Sequence, residues 1–280
     1  MTKLVKHISF SEYRLYASCA FRHALEKQLG YEQGSNEFLV FGSALHSSIE
    51  EIIKKKLNKI LYEKTFARYL EEESNGAIVK SYFGRQFITQ GTALLKALDF
   101  FERYKDWEVV GVEDQLYEPL YTDDEKEVNF KGIVDLILKK DDKYLIIDWK
   151  SAMKPWDIDK KQEDKSFFGQ LALYKHFFAS KHGIPLENIS TRFVTLARDP
   201  VNIQQYEINI SDEFMKFMVD DVMRVAKEIG TIDKGKLPKA KHSGKPEAKQ
   251  TCAWCPFNKN KPCNDEVEQL AEPFIKVENE

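Results

Sequence analysis

The sequence predicts an α/β fold in which a mixed central sheet is flanked by helices. Residues 129–150 carry much of that reading. They form two strand-like runs, 129–139 and 143–150, rich in β-branched and large apolar residues and joined by a polar turn at Asp141-Asp142. Segments of helical period lie on both sides of this hairpin, and further strand-like runs at 108–120, 191–197 and 203–210 supply the rest of a sheet.

The elements follow in order. Ser9-Phe10-Ser11 opens the first helix, with a serine available as N-cap and Glu12 in the first turn. Tyr13, Tyr16, Ala17 and Ala20 face the core, with Cys19, Arg22 and His23 near them. A loop with Gly30, Gly34 and Asn36 leads to a helix over 38–57, where Leu45, Ile49, Ile52 and Ile53 have helical spacing and His46 and Glu50 share a face. Two more amphipathic helices, 61–73 and 84–104, are separated by Ser74-Asn75-Gly76. Their aromatics (Tyr69, Phe83, Phe87, Phe100, Phe101, Tyr104) read as core. The strand at 108–120 contains Glu113, read as a strand-edge charge or a further carboxylate of a site. After the hairpin and a charged loop over 154–165, a helix at 167–181 sets Gln170 and Tyr174 on one face. The last two strands turn at Asp199-Pro200, and Ser211 caps a helix that runs to about residue 229.

From Asp233 to Gln250 no apolar period survives. Lys234, Lys236, Lys239, Lys241, Lys245 and Lys249 alternate with Gly and Pro, as in a solvated connector or a basic DNA-contacting loop. The 280 residues thus read as one domain: a mainly helical part at 1–107, a core at 108–230, a basic linker at 231–250 and a cysteine-rich segment at 251–280.

Composition narrows the class. With 42% hydrophobic and 31% charged residues the chain is ordinary for a globular protein, and no apolar run is long enough for a membrane span. The N-terminus lacks the apolar segment of a signal peptide, so a cytoplasmic location is expected. A net charge of −3 gives no global sign of nucleic-acid binding, which would have to rest on a local basic surface. Cys252, Cys255 and Cys263 are spaced C-x2-C-x7-C, with Cys19 far away. In a reducing compartment this clustering favours metal ligation, the bland alternative being free thiols.

The hairpin also carries chemistry. Asp135 interrupts its first strand, and Asp148 and Lys150 interrupt the second. Strand alternation puts Asp148 and Lys150 on one face and Trp149 on the other. Two carboxylates and an ammonium so arranged can hold a hard cation and position a water, as phosphodiester hydrolysis requires. The plain alternative is a solvated Asp–Lys pair.

The motifs G-x-x-x-H (Gly42–His46), G-I-V-D (Gly132–Asp135), D-x-K (Asp148–Lys150) and Q-x-x-x-Y (Gln170–Tyr174), in this order, resemble the RecB-type nucleases of the PD-(D/E)XK superfamily. The opening SFSEYRLYASCAF and the C-terminal cysteine trio resemble the iron–sulfur branch, with AddB-type nuclease domains and CRISPR-associated RecB-like exonucleases. Asp148 stands where the family's third motif usually has glutamate, and the spacing before Cys263 is slightly long. The resemblance implies a restriction-endonuclease-like core with N-terminal helices over the site. It implies Mn²⁺ or Mg²⁺ held by His46, Asp135, Asp148 and the Trp149 carbonyl, with Lys150 at the attacking water. Gln170 and Tyr174 would line the site; the plain alternative for them, as for His46, is packing of their own helix. It further implies a 4Fe-4S cluster (zinc the alternative) on Cys19, Cys252, Cys255 and Cys263, and DNA contacts from Tyr13, Arg22 and Tyr174. The expected function is exonucleolytic hydrolysis of single-stranded DNA ends, alongside a helicase or other DNA-processing partner. A structure-selective endonuclease and a non-cleaving DNA-binding or scaffold subunit are the rivals.

Overall fold

The structure, a computed structural model, describes residues 6–31, 36–78, 81–123, 126–158 and 165–232, together with residues 238, 252, 255 and 257. The chain divides into two units. One comprises Ser35–Glu118 and Gly132–Met218, the other Met1–Gly34, Pro119–Lys131 and Val219–Glu280. Most of the basic stretch and the C-terminal segment, Cys263 included, lies outside the described residues.

In the larger unit the hairpin strand β4 (Lys143–Ala152) has neighbours on both sides. Its five consecutive buried residues, Leu145–Trp149, mean that both of its faces are covered, as in a sheet between helix layers. It pairs antiparallel with β3 (Lys126–Lys140), from Leu136 opposite Ile147 to Lys140 opposite Lys143. On its other side it runs parallel to β5 (Ile189–Arg198), which turns back antiparallel into β6 (Val201–Glu207). A long strand β2 (Glu108–Asp123) pairs with β3, so the sheet is mixed, as expected.

A parallel neighbour requires a crossover connection, and the helix Lys165–His182 provides it, packed on β4 and β5. Its Phe167 and Phe168 rings lie 4.9 and 6.2 Å from Phe193 of β5. The other face of the sheet is covered by helices Glu37–Lys55, Tyr62–Glu73 and Tyr82–Leu98. Leu136, Leu138, Leu145, Ile147 and Trp149 share one apolar core with Phe41, Leu45, Ile49, Phe66 and Leu94 from those helices. Helix Glu37–Lys55 starts where the Asn36 side chain accepts hydrogen bonds from the Phe38 and Leu39 N–H groups, and it ends at Lys56 in the left-handed region (φ 49°). Its buried stripe faces the sheet and leaves His46 and Glu50 on the flank.

The smaller unit opens with a three-residue strand, His7–Ser9, parallel to residues 129–131; a strand this short has no period by which the sequence could announce it. Ser9 is the N-cap foreseen for helix Phe10–Ser18, its Oγ accepting from the Glu12 N–H at 3.2 Å. Cys19 then adopts an extended conformation, and helix resumes at Ala20 before a π-helical turn over Ala24–Gln28. The final helix, Asp212–Thr231, is capped by Ser211 as expected, and its later turns belong to this unit.

Other expectations change in detail. The single helix foreseen over 84–104 is two, because Asp99 turns left-handed (φ 43°) between Tyr82–Leu98 and Phe100–Arg103. Phe87, Phe100 and Tyr104 are core, whereas Phe83 and Phe101 stay largely exposed on the flanks of their helices. Among the described residues no helix is long and apolar enough to cross a membrane.

Helix Tyr82–Leu98 approaches its neighbour through Gly91. A Cβ there would lie 2.3 Å from the ring of Phe66, which is fully buried and has no room to move. Gly91→Ala therefore destabilises the protein by about 1–2 kcal/mol, the overpacking cost exceeding the ~1 kcal/mol gain in helix propensity. Urea unfolding of the two proteins checks this.

Candidate metal centre

The site begins where the hairpin's ladder gives way to side chains. Just past the Leu136–Ile147 pair, Asp135 Oδ2 accepts the Trp149 backbone N–H at 2.7 Å, so a carboxylate takes the place of a strand partner. Trp149 thus enters the site through its N–H while its ring packs into the core. Alternation puts Asp148 and Lys150 on the opposite face, towards the crossover helix. Lys150 Nζ lies 2.6 Å from Asp148 Oδ2 and donates to Gln170 Oε1 at 2.8 Å. Gln170 Nε2 donates in turn to the Tyr174 hydroxyl at 2.9 Å. Gln170 and Tyr174, one helical turn apart on one face as their spacing predicts, thus reach Lys150 directly and through Gln170 respectively.

His46 arrives from the other side. Gly42 lets helix Glu37–Lys55 pass close to the end of β4, since a Cβ there would sit 2.8 Å from Ser151 Oγ. One turn later His46 Nδ1 stands 3.7 Å from Asp135 Oδ2, too long for a hydrogen bond but close for opposite charges. Glu113 completes the group. One ligand atom each from His46, Glu113 and Asp135 lie within 4.8 Å of one another, in a cleft of about 520 Å³. Of the two readings of Glu113, its place beside His46 and Asp135 favours the site carboxylate. At φ 54° it leaves the pleat of β2, so alternation no longer decides where its side chain points. The signal in the sequence was slight, a glycine (Gly111) two residues earlier.

Charge is crowded here. Burial pushes the Asp148 carboxyl up, with the Asp135 charge adding to the shift and the Lys150 ammonium opposing it. Burial, together with the charges of Asp135 and Glu50, pushes the Glu113 carboxyl up to about 7. For His46 burial acts downward, but the Asp135 and Asp148 carboxylates outweigh it and the net shift is upward. The Tyr174 hydroxyl is raised by burial and by the Asp148 charge, so it stays protonated.

These residues fit a divalent cation. Two ligands on one ion at about 2.0–2.4 Å can be about 4–4.8 Å apart, which the spread of His46, Glu113 and Asp135 just meets. The buried Asp148 Oδ2 accepts no directed hydrogen bond despite its ion pair with Lys150, and so retains acceptor capacity. A cation would also relieve the repulsion that raises Glu113.

The remaining sequence-derived residues belong to the smaller unit. Cys19 and Cys255 are buried in one apolar cluster with Phe21, Leu25 and Phe257. The Cys255 N–H donates to the Cys252 carbonyl at 3.1 Å, forming the C-x2-C turn, while Cys263 lies outside the described residues. Tyr13 is only 4% exposed, and its hydroxyl donates to Asp221 at 2.6 Å. At that burial it packs within its own unit. Arg22 donates to Glu26 at 2.7 Å one turn along.

Comparisons with known proteins agree with this architecture. The chain is similar to a solved "Putative exonuclease" from Eubacterium rectale, with 11% identity over 91% of this chain and 88% of that one and a TM-score of 0.57, a likeness of fold. A second solved chain, SSO0001, is 16% identical over 87% of this chain and 94% of that one, but its TM-score of 0.36 is too low to carry an argument. No curated protein matches the sequence. The family model described as the PD-(D/E)XK nuclease superfamily matches residues 7–259, and with nearly the whole chain so covered, the protein belongs to that superfamily.

Proposed function

We propose that this chain is a metal-dependent deoxyribonuclease that hydrolyses phosphodiester bonds from single-stranded DNA ends. The observation that carries the reading is the convergence of a cation-binding group, His46 from a helix with Glu113 and Asp135 from paired strands, and an ion-paired lysine (Lys150 with Asp148) on the next strand. His46, Glu113 and Asp135 would hold the metal, with Asp148 and the Trp149 carbonyl as further oxygens. When bound, Mn²⁺ or Mg²⁺ supplies positive charge against the charge that develops on the scissile phosphate. The imidazole among the ligands favours Mn²⁺ over Mg²⁺, which prefers an all-oxygen shell. Lys150, kept in place by Asp148 and Gln170, orients the attacking water. Tyr174, protonated, steadies Gln170 and leaves Lys150 one defined rotamer.

A linear single-stranded oligonucleotide and its covalently closed circle separate the readings. The proposal has only the linear form degraded in Mn²⁺. Cutting of the circle favours a structure-selective endonuclease, and no cleavage at all favours a DNA-binding or scaffold subunit. Membership of the iron–sulfur branch is part of the proposal, with Cys19, Cys252, Cys255 and Cys263 holding a 4Fe-4S cluster and zinc the alternative. The shared burial of Cys19 and Cys255 and the C-x2-C turn support it. A helicase or another DNA-processing partner would then feed the strand to the site.

Lys150→Ala and Asp135→Ala lower the cleavage rate by roughly 100- to 1000-fold or more, the range seen when one charge-stabilising group is lost. Only Asp135→Ala also weakens Mn²⁺ binding, which calorimetry distinguishes. Full activity in either variant removes that residue from the site.

The protonation of Glu113 gives a pH signature. In the metal-free protein its carboxyl is protonated below about pH 7 and must lose that proton to bind a cation. Mn²⁺ affinity therefore rises with pH, by up to about tenfold per unit below pH 7, and levels above it. Glu113→Gln lowers the affinity and flattens the part of the profile nearest pH 7. Calorimetric titrations from about pH 5.5 to 8 check this, and a flat profile in the parent protein excludes Glu113 as a ligand.

Anaerobically purified protein is expected to be brown. Cys19→Ala loses the colour and lowers Tm by about 10 °C, since several kcal/mol of metal-linked stability disappear. A colourless protein with one zinc per chain establishes the zinc alternative.

A further inference from the structure

The helix that carries His46 starts with an exposed apolar step. Phe38 is 50% and Leu39 62% exposed, whereas Val40 and Phe41 immediately after them are buried. Both exposed residues line the cleft that also contains His46, Glu113 and Asp135. Leu39, Ser43, His46 and Glu50 form one stripe along it, so the cleft follows the helix. Seven residues at about 1.5 Å each place the Phe38–Leu39 step on the order of 10 Å from His46 along the axis.

The Phe38 ring is braced from behind. The buried Arg198 sets its guanidinium carbon 4.5 Å from the Phe38 ring centre, 5.1 Å from that of Phe41 and 5.0 Å from that of Phe87. Its Nε lies 3.4 Å from the Met153 sulfur, and the Phe87 ring packs 6.4 Å from Phe38. A cation held against an aromatic face fixes that ring while leaving its other surface free for a second flat group. Glu37 and Asp199 act on Arg198 as counter-charges, which makes the guanidinium a poor hook for phosphate. What this end of the cleft offers is a π-surface beside an apolar side chain.

An unpaired nucleobase fits that offer. It is flat, it presents a π-face to any aromatic ring, and it is tied by its sugar to a phosphate backbone drawn towards a cation-binding group. A base inside a duplex is stacked on both faces and has none to give. We propose that Phe38, backed by Arg198 and flanked by Leu39, is a stacking platform for an unpaired base of the strand being cut. The base lies up to about three steps from the scissile bond, at about 3.4 Å per step of a stacked strand. This inference rests on the reading of the cleft as a nuclease site and names the feature that makes the substrate single-stranded. Phe38 is a binding residue and Arg198 a positioning residue.

Two readouts test it on the full-length protein. The first is fluorescence anisotropy of a labelled oligothymidylate with a chelator present, so that nothing is cut. The second is the KM and kcat for the same oligonucleotide in Mn²⁺. Phe38→Ala weakens binding and raises KM by roughly 5- to 150-fold, the range for loss of one stacking aromatic, with kcat little changed. Phe38→Trp restores both, and Arg198→Met gives a loss that adds little to that of Phe38→Ala. An abasic site moved along the oligonucleotide weakens binding to the parent protein at one position and leaves Phe38→Ala unaffected there. If Phe38→Ala binds the oligonucleotide as tightly as the parent, the platform is refuted whether or not DNA is cut, and the exposed step then serves an apolar protein partner. If binding depends on Phe38 but no DNA is cleaved, the platform stands and the nuclease reading falls.

Discussion

Asp148 lies in the stretch of β4 that is covered on both faces, so its carboxylate has almost no water around it. A charge in that position must be neutralised or paired, and Lys150, two residues on and on the same face, stands beside it. The ammonium is thereby held against the strand, although its side chain keeps some exposure. Its remaining hydrogen-bonding capacity turns to Gln170, and Gln170 reaches Tyr174. The crossover helix is thereby registered on the strand by polar contacts as well as by the Phe167 and Phe193 rings. Across the strand, Asp135 takes the Trp149 N–H and holds the two halves of the hairpin together where their pairing changes. Structural need and chemical use coincide in these residues. A buried pair of this kind contributes little net stability but fixes one arrangement, because breaking it would strand a charge.

What the sequence made legible was whatever has a period or a local cap. The hairpin, the Asp148–Lys150 face, the stripe of helix Glu37–Lys55 and the caps at Ser9 and Ser211 all follow from alternation, helical spacing or a hydroxyl in the right place. Gln170 and Tyr174 could be placed on one face but not against Lys150, because that contact depends on how the crossover helix lies on the sheet. Glu113 stays between a strand-edge charge and a site carboxylate in the sequence, because nothing there announces a left-handed residue (φ 54°) inside a strand. Asp99 was hidden inside a helical pattern for the same reason, a single left-handed residue within a run of good helix formers. Helical spacing alone puts Tyr13 towards the core, and what the sequence does not show is its partner there, Asp221.

The likeness to a solved chain at 11% identity illustrates which of these features a fold needs. At that level few side chains are shared, and the likeness is one of fold. Packing tolerates wide exchange among apolar residues of similar volume. The close approach at Gly91 tolerates less, because a Cβ there would meet the fully buried Phe66 ring.

His46 comes from a helix, and Glu113 and Asp135 from two paired strands much further along the chain. No partial structure containing only one of these segments holds more than one of the three ligands. The site closes only after the helix has docked on the sheet, and closing such long loops is among the slower events available to a folding chain. A cation therefore has no formed site in the unfolded chain, and at most the two strand carboxylates to grip in a collapsed intermediate that lacks this docking. Its binding energy falls on the native side of the folding barrier, so it lengthens the lifetime of the folded protein and leaves the rate of folding almost untouched.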